Sequence, residues 1–360
     1  INNSLITPLG KLRMAMDLLI PAKKSGEEES LAQFVRRRLG KEVLEKNAEP
    51  LVAGVHAGAP ENMSLKSTFP RFMEMENQYG GLIRGMLKRK KQYLNDRKGV
   101  RSKPPYTMFM TLKGGLAELI NALTARLKPN AILAGQRVVN VKKTGHNANA
   151  SPPQYCLNLA NGNSLQAQAV IMATPSFIAA ELLKGLDQFL TSDLNSIPYV
   201  STATVSLAYQ RKDVLHPLEG FGFVIPRLEK RKIMASTWSS IKFANRAPKN
   251  KLLLRCFLGG AGNNHLSLLS EGEIVSIARE ELHDIMDIKT EPLFTRVFRW
   301  EKSMPQYTIG HGEKLQRINE RLSYHPGLFL AGSAYKGIGI SDCIKSGKQA
   351  AGEALEFLCF

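Results

Sequence analysis

The stretch from residue 328 to the C-terminus limits the fold more than any other part of this 360-residue chain. Leu328-Phe329-Leu330-Ala331-Gly332-Ser333 has the apolar run and small terminal residues of a buried strand. Residues 334–339 form a glycine-rich turn, and apolar residues at helical spacing then run to the end. Ser341 and Asp342 read as an N-cap pair for that helix. A strand that passes through a tight turn into a helix is the building unit of α/β layers. Its turn gathers backbone N–H groups and the positive end of the helix dipole at one point, which favours an anionic ligand.

The chain is long enough to bury a sizeable core and to split into two or three lobes. An apolar fraction of 43% is ordinary for a globular protein, and no stretch approaches the roughly 20 apolar residues of a membrane span. Cys156, Cys256, Cys343 and Cys359 match no metal or disulfide spacing, which suits free thiols in a reducing cytoplasm. Cys343 reads as a small packed side chain rather than a reactive thiol. The balance is basic, with 49 Lys and Arg against 31 Asp and Glu. Nucleic acid, an anionic membrane surface or an acidic small molecule would each answer that charge. No zinc finger, RNA-binding signature or recognition-helix pattern is present, so nucleic acid is not expected as a partner.

Along the chain, residues 1–105 read as a helical domain. Helices are expected at 11–20, stopped by Pro21, at 31–39 behind a Ser30/Gln33 capping box, at 41–55 and at 79–94. The last carries Lys88-Arg89-Lys90-Lys91, a solvated basic face that leaves peripheral membrane contact open. Residues 98–105 read as a basic loop. A helix at 116–127 follows, then strands at 131–133, 137–142, 155–159 and 165–173, with Asn161-Gly162 as a hairpin turn. Residues 177–183 read as helix. From 186 to 298 the pattern is sheet-rich, with strands at 205–209, 221–225, 233–238 and 252–258 and a helix at 272–286.

The C-terminal block resembles the flavin-contacting motif of the flavin amine oxidase superfamily. Together with Trp300-Glu301-Lys302-Ser303-Met304-Pro305-Gln306-Tyr307, it is similar in particular to the porphyrinogen oxidases of haem synthesis. The likeness runs from Gly10-Lys11-Leu12-Arg13 through Glu49-Pro50-Leu51-Val52 to the C-terminus. It implies a mixed α/β fold with an FAD-linked dinucleotide-binding domain at 106–185 and 299–360. The helical domain at 1–105 and a substrate domain at 186–298 are inserted into it. Such a fold should open with G-x-G-x-x-G, which cradles the pyrophosphate. No such motif is found in this chain. Gly80-Gly81-Leu82-Ile83-Arg84-Gly85 has the wrong spacing, so roughly the first hundred residues of the family's chain are expected to be missing and the FAD domain to be incomplete.

The resemblance assigns cofactor contacts to Val138, Trp300, Gly332, Gly337, Ile338 and Gly339, with Ala173-Thr174-Pro175 packed nearby. It assigns one face of the substrate cavity to Phe221, Gly222 and Val224. Without it, Val138 reads as an ordinary buried valine, Trp300 as a core residue at a domain junction, and Phe221 and Val224 as strand core. Arg71 and Lys242 are candidates for the substrate's carboxylates by charge alone. The implied reaction is oxidation of a porphyrinogen by FAD and O2, with hydrogen peroxide as product, in the cytoplasm or at the inner face of the membrane. The soluble Gram-positive form of the family implies coproporphyrinogen III, with four carboxylates. Protoporphyrinogen IX, with two, is the alternative, and the excess positive charge favours four. An amine oxidase would need an aromatic cage, for which only Tyr335 offers a wall. His56, His265, His283 and His311 are scattered and read as structural or surface residues. No metal site and no catalytic acid or base is assigned.

Overall fold

Ten strands form among the described residues, namely 4–23, 26–96, 110–144 and 154–359 of this computed structural model. They are β1 (Val138–Thr144), β2 (Gln154–Leu159), β3 (Ser164–Ala167), β4 (Val170–Met172), β5 (Tyr199–Gln210), β6 (Gly222–Val224), β7 (Ile233–Trp238), β8 (Lys251–Gly259), β9 (Phe294–Pro305) and β10 (Leu328–Leu330). The chain clusters into two units. The first takes Ile1–Leu65, Phe69–Lys128 and Val200–Lys302, and the second Lys66–Thr68, Pro129–Tyr199 and Ser303–Phe360. The basic loop expected at 98–105 and the domain boundary at 105/106 lie outside the described residues. The mixed helix-and-sheet character agrees with expectation.

The first unit carries a five-stranded sheet in the order β6-β7-β8-β5-β9. Alternate residues of β5 and β8 point into one core: Val205, Leu207, Leu252, Leu254 and Leu258 are fully buried. Ile274, Ala278 and Leu282 of the helix Glu271–Met286 close the same cluster. Helices of the N-terminal segment bury a second cluster built on Leu31, Phe34, Val35 and Leu44. The Ser30/Gln33 capping box forms as read. Ser30 Oγ accepts from Gln33 N at 3.1 Å, and Gln33 Oε1 accepts from Ser30 N at 2.8 Å. The helix read as continuous over 41–55 widens into a π-helical turn at Leu44–Ala48. Pro50 explains this, because it has no N–H to give and its ring crowds the carbonyl four residues back.

Two further readings in this unit change. Over 11–20 the chain forms the helix Pro8–Ala15 and a 3-10 turn, Met16–Leu18. Leu12 and Leu19, on the expected apolar stripe, are exposed. Over 79–94, Gly80 ends the helix Pro70–Tyr79 in the left-handed region, and Leu82–Asp96 starts afresh. No helix among the described residues is long and apolar enough to cross a membrane.

The second unit holds an antiparallel sheet, β1-β2-β3, and a parallel pair, β4 and β10. Val170, Ile171 and Met172 lie opposite Leu328, Phe329 and Leu330. The strand expected over 165–173 is therefore two strands in two sheets. β3 pairs antiparallel with β2, and β4 turns away to pair with β10. The strand expected at 131–133 does not form, and Ile132 and Leu133 are exposed in a loop with no described neighbour to complete a ladder. The C-terminal helix spans Ile340–Cys359, so Ser341 and Asp342 lie inside its first turn rather than capping it. Leu183, Leu190, Leu194, Ile318 and Leu328 form the core of this unit.

Candidate functional site

In the second unit, β10 delivers its C-terminal end to the glycine turn. Gly332 has φ 125°, a conformation that side-chain-bearing residues rarely adopt, and open space lies where its Cβ would stand. Its N–H donates to Ser346 Oγ at 3.1 Å, which ties the end of the strand to the C-terminal helix. Gly337 has φ 88°, and a Cβ there would stand 2.6 Å from Cβ and Cγ of Asp342. A Cβ on Gly339 would meet Asp342 Oδ2 at 3.0 Å. Gly337, Ile338 and Gly339 thus lie together against the folded-back Asp342 side chain. The carboxylate sits at the positive end of its own helix, so this end is already partly answered within the chain. Burial, reinforced by Asp342, raises the pKa of the Cys343 thiol, in keeping with an unreactive packed side chain.

Val138 opens β1 and lines a cavity of about 380 Å³ with Met172, Ala173 and Thr174. This brings the valine assigned to the adenosine part of the cofactor beside the segment assigned to pack near it. Val138 is half-buried and packs on the core of the unit. Tyr335, the one aromatic offered for an amine cage, is buried at 8% exposure. It packs in the core of the unit and also lines a cavity of about 470 Å³ with Phe329 and Phe357.

In the first unit, the three residues assigned to substrate lie on the edge strand β6 and just before it. Phe221 is 52% exposed and Val224 38%, while Phe223 and Ile225 face the core. Val224 alternates with the core-facing Phe223 and Ile225, while Phe221 is exposed just before the strand begins, so neither Phe221 nor Val224 is strand core. Gly222, at φ 141°, permits a close approach: a Cβ would lie 2.1 Å from the Ser236 carbonyl oxygen of β7. Trp300 is 51% exposed on β9, so it is not a core tryptophan either. β6 and β9 are opposite edges of the five-stranded sheet, roughly 19 Å apart at the usual strand spacing. Two residues beyond Trp300, Lys302 has φ 41°, and its N–H donates to Ser201 Oγ at 2.9 Å. This left-handed residue within β9 had no signal in local sequence.

The cations sort less well. Arg71 is exposed on the helix Pro70–Tyr79, and Lys242 ends a short helix with its ammonium 5.5 Å over the Phe243 ring. A cavity of about 340 Å³ beside the β6–β7 connection is lined by Glu49, Arg227, Lys230, Arg231 and Met234. Its arginines are engaged within the chain. Arg227 pairs with Glu49 at 3.0 Å and Glu61 at 2.9 Å, and Arg231 pairs with Asp284 at 2.8 Å. Burial raises the pKa of the Glu49 carboxyl, against the pull of Arg227. This cavity was not foreseen, because its lining comes from segments far apart in sequence. Of the histidines, His56 sits edge-on to Phe69, with its pKa lowered by burial. His311 is buried and stacked on Tyr307, while His283 is exposed. Among the described residues, no cluster could hold a metal ion.

The sequence matches the flavin containing amine oxidoreductase family over residues 4–355. The chain belongs to that family. It is 37% identical to the coproporphyrinogen III oxidase of Bacillus subtilis over 359 residues, covering 99% of this chain and 74% of that protein. It is 34% identical to the coproporphyrinogen III oxidase of Staphylococcus aureus, covering 99% of this chain and 75% of that one. A solved structure of a candidate protoporphyrinogen oxidase from Exiguobacterium aligns with TM-score 0.81 at 29% identity, over 98% of this chain and 73% of that one. As a flavin amine oxidoreductase, the chain needs a place where main chain can face a flat ring without a side chain between. The open space at Gly332 fits that need.

Proposed function

We propose that this chain is an FAD-dependent coproporphyrinogen III oxidase that uses O2 and acts in haem synthesis, with a cytoplasmic location. The observation that carries the reading is the glycine turn at 332–339. It opens beyond a parallel strand, bears space at Gly332 and leads into the N-terminus of a 20-residue helix. Sequence likeness to the Bacillus and Staphylococcus enzymes along nearly the whole chain supports the substrate.

On this reading, 106–185 and 299–360 belong to the FAD-binding domain, 186–298 to the substrate domain and 1–105 to the helical domain. Val138 meets the adenosine part of FAD, while Trp300, Gly332, Gly337, Ile338 and Gly339 meet the flavin part. When bound, FAD would supply the two-electron redox chemistry, with the porphyrinogen as the source of two electrons and two protons per turnover and O2 as their acceptor, giving hydrogen peroxide. The chain's own work is binding, orientation and exclusion of water. N–H groups at the start of the helix Ile340–Cys359 favour negative charge beside them. Phe221 and Val224 offer an apolar edge to a flat macrocycle, with Gly222 keeping that edge close to the sheet. The substrate's carboxylates meet cations at the rim, for which Arg71 and Lys242 remain the candidates.

Protoporphyrinogen IX is the second substrate, favoured by the Exiguobacterium neighbour. An amine substrate is disfavoured by the burial of Tyr335. Aerobic turnover of the FAD-loaded protein separates these. Coproporphyrinogen III should give porphyrin fluorescence and peroxide at a kcat/KM roughly tenfold or more above that of protoporphyrinogen IX. Equal or reversed values would move the assignment to the second substrate.

A further inference from the structure

Within the glycine turn one long backbone bond forms, from Tyr335 N–H to Gly332 O at 3.4 Å. A side chain from another segment also enters. The Tyr307 hydroxyl donates to Ser333 O at 2.6 Å, so a phenol proton holds the carbonyl at the start of the turn.

The phenol is held independently of its hydroxyl. Tyr307 is buried, and its ring stacks on His311 with centroids 4.2 Å apart and planes 11° from parallel. His311 opens the helix His311–Leu322, and its N–H donates to Thr308 O at 2.9 Å. Gln306 N–H donates to Pro198 O at 2.8 Å, which fixes the residue before the tyrosine. On its other side, the turn is bounded by Asp342, packed where Gly337 and Gly339 lack side chains. The backbone at 333–337 is thus set by a hydroxyl on one side and a carboxylate-bearing side chain on the other.

We propose that Tyr307 is a positioning residue for the flavin. Its hydroxyl holds the Ser333 carbonyl and so fixes the direction in which the turn leaves the strand. The N–H groups that follow, at the start of the helix Ile340–Cys359, are thereby aimed at the ring. The proposal rests on the reading that the 332–339 turn faces the flavin, and it adds what gives that turn its shape.

The test compares Tyr307→Phe with the unaltered 360-residue protein. It uses amide hydrogen exchange across 333–339 with and without FAD, FAD affinity from flavin fluorescence, and the midpoint potential of the bound flavin. Phenylalanine keeps the ring stack and removes only the oxygen. Exchange across 333–339 should quicken about tenfold, FAD should bind about tenfold more weakly, and the potential should fall, each in keeping with one lost hydrogen bond. A merely structural tyrosine would move the melting temperature and leave the potential where it was. Exchange and affinity within about twofold of the unaltered protein, with the potential unmoved, would overturn the proposal. The underlying reading is judged separately in the unaltered protein. FAD that binds without slowing exchange at 336–339 overturns the flavin assignment of the turn whatever Tyr307→Phe shows.

Discussion

Arg38→Ala should cost about 4 kcal/mol of unfolding free energy in the first unit. That is a large share of the roughly 5–15 kcal/mol by which a domain is stable. Arg38 and Asp17 are both fully buried, with Arg38 Nε 2.6 Å from Asp17 Oδ1. That contact is close enough for an ion pair, although its angle is not that of a hydrogen bond. The guanidinium's other donors go to carbonyl oxygens, Ile20 O at 2.8 Å and Gly80 O at 2.7 Å. Asp17 Oδ2 accepts from Ile83 N at 2.8 Å. One planar cation therefore joins the helix Leu31–Arg38 to the chain at 17–21 and at 80–83.

Alanine would leave a buried carboxylate without its partner and the carbonyls of Asp17, Ile20, Pro21 and Gly80 without this donor. Arg38→Lys should recover little, because an ammonium on a flexible stem cannot serve acceptors arranged around a fork. Gly81 completes the arrangement, since a Cβ there would stand 2.2 Å from Arg38 NH2. Urea unfolding followed by tryptophan emission reports on this unit, because Trp238 and Trp300 both lie in it. A loss below about 1 kcal/mol, the range of an exposed pair, would show that the burial is not felt.

Asp187→Ala should cost about 3 kcal/mol in the second unit, through a lost helix cap and a broken ion pair. Asp187 Oδ1 accepts from Phe189 N at 2.9 Å and Leu190 N at 3.0 Å, capping the helix Gln188–Asn195. Its Oδ2 accepts from Arg321 at 2.7 Å and lies 3.0 Å from His325 Nε2. Arg321 in turn lies over the rings of Phe189 and Tyr324. Burial pushes the carboxyl up, but the Leu190 N–H, Arg321 and His325 together outweigh it and hold the group down at about 2, against an ordinary 3.8. A carboxyl whose folded pKa lies below its unfolded value stabilises the fold above the unfolded value and loses that effect as pH falls through the folded one. The gap between Asp187→Ala and the unaltered protein should therefore be full at neutral pH and shrink between about pH 4 and pH 2. Far-UV circular dichroism across that range measures it. A gap that stays constant down to pH 2 would assign the stabilisation to something other than the carboxylate's charge.

These two clusters show where sequence stops being legible. The Ser30/Gln33 box and the strand Ile233–Trp238 could be read because the forces that set them act within a few residues. The C-terminal strand, turn and helix were legible for the same reason, although the role of Asp342 was not. As a polar residue at the head of a helix it reads as a cap, whereas its side chain folds back over Gly337 and Gly339. The split of 165–173 was hidden, because an unbroken apolar run does not say which of two sheets each half will join. The strand read at 131–133 failed for the complementary reason, that propensity without a pairing partner does not make a ladder. Arg38 looked like one of three consecutive arginines on a helix, and only its partners at positions 17, 20 and 80 set it apart. Tyr307 was legible as part of a motif, but the partner of its hydroxyl lay 26 residues further on, at Ser333. The core reading of Phe221, Val224 and Trp300 failed, because local sequence does not say which side of a strand is left uncovered.

The central claim is that bound FAD in this protein is reduced by coproporphyrinogen III. Anaerobic mixing of the FAD-loaded protein with that compound, followed at the flavin absorbance band, tests it in one step. The account predicts rapid bleaching, then recovery of the band and the appearance of porphyrin fluorescence when air is admitted. Flavin that binds but is bleached by neither coproporphyrinogen III nor protoporphyrinogen IX would contradict it and leave only the family membership standing.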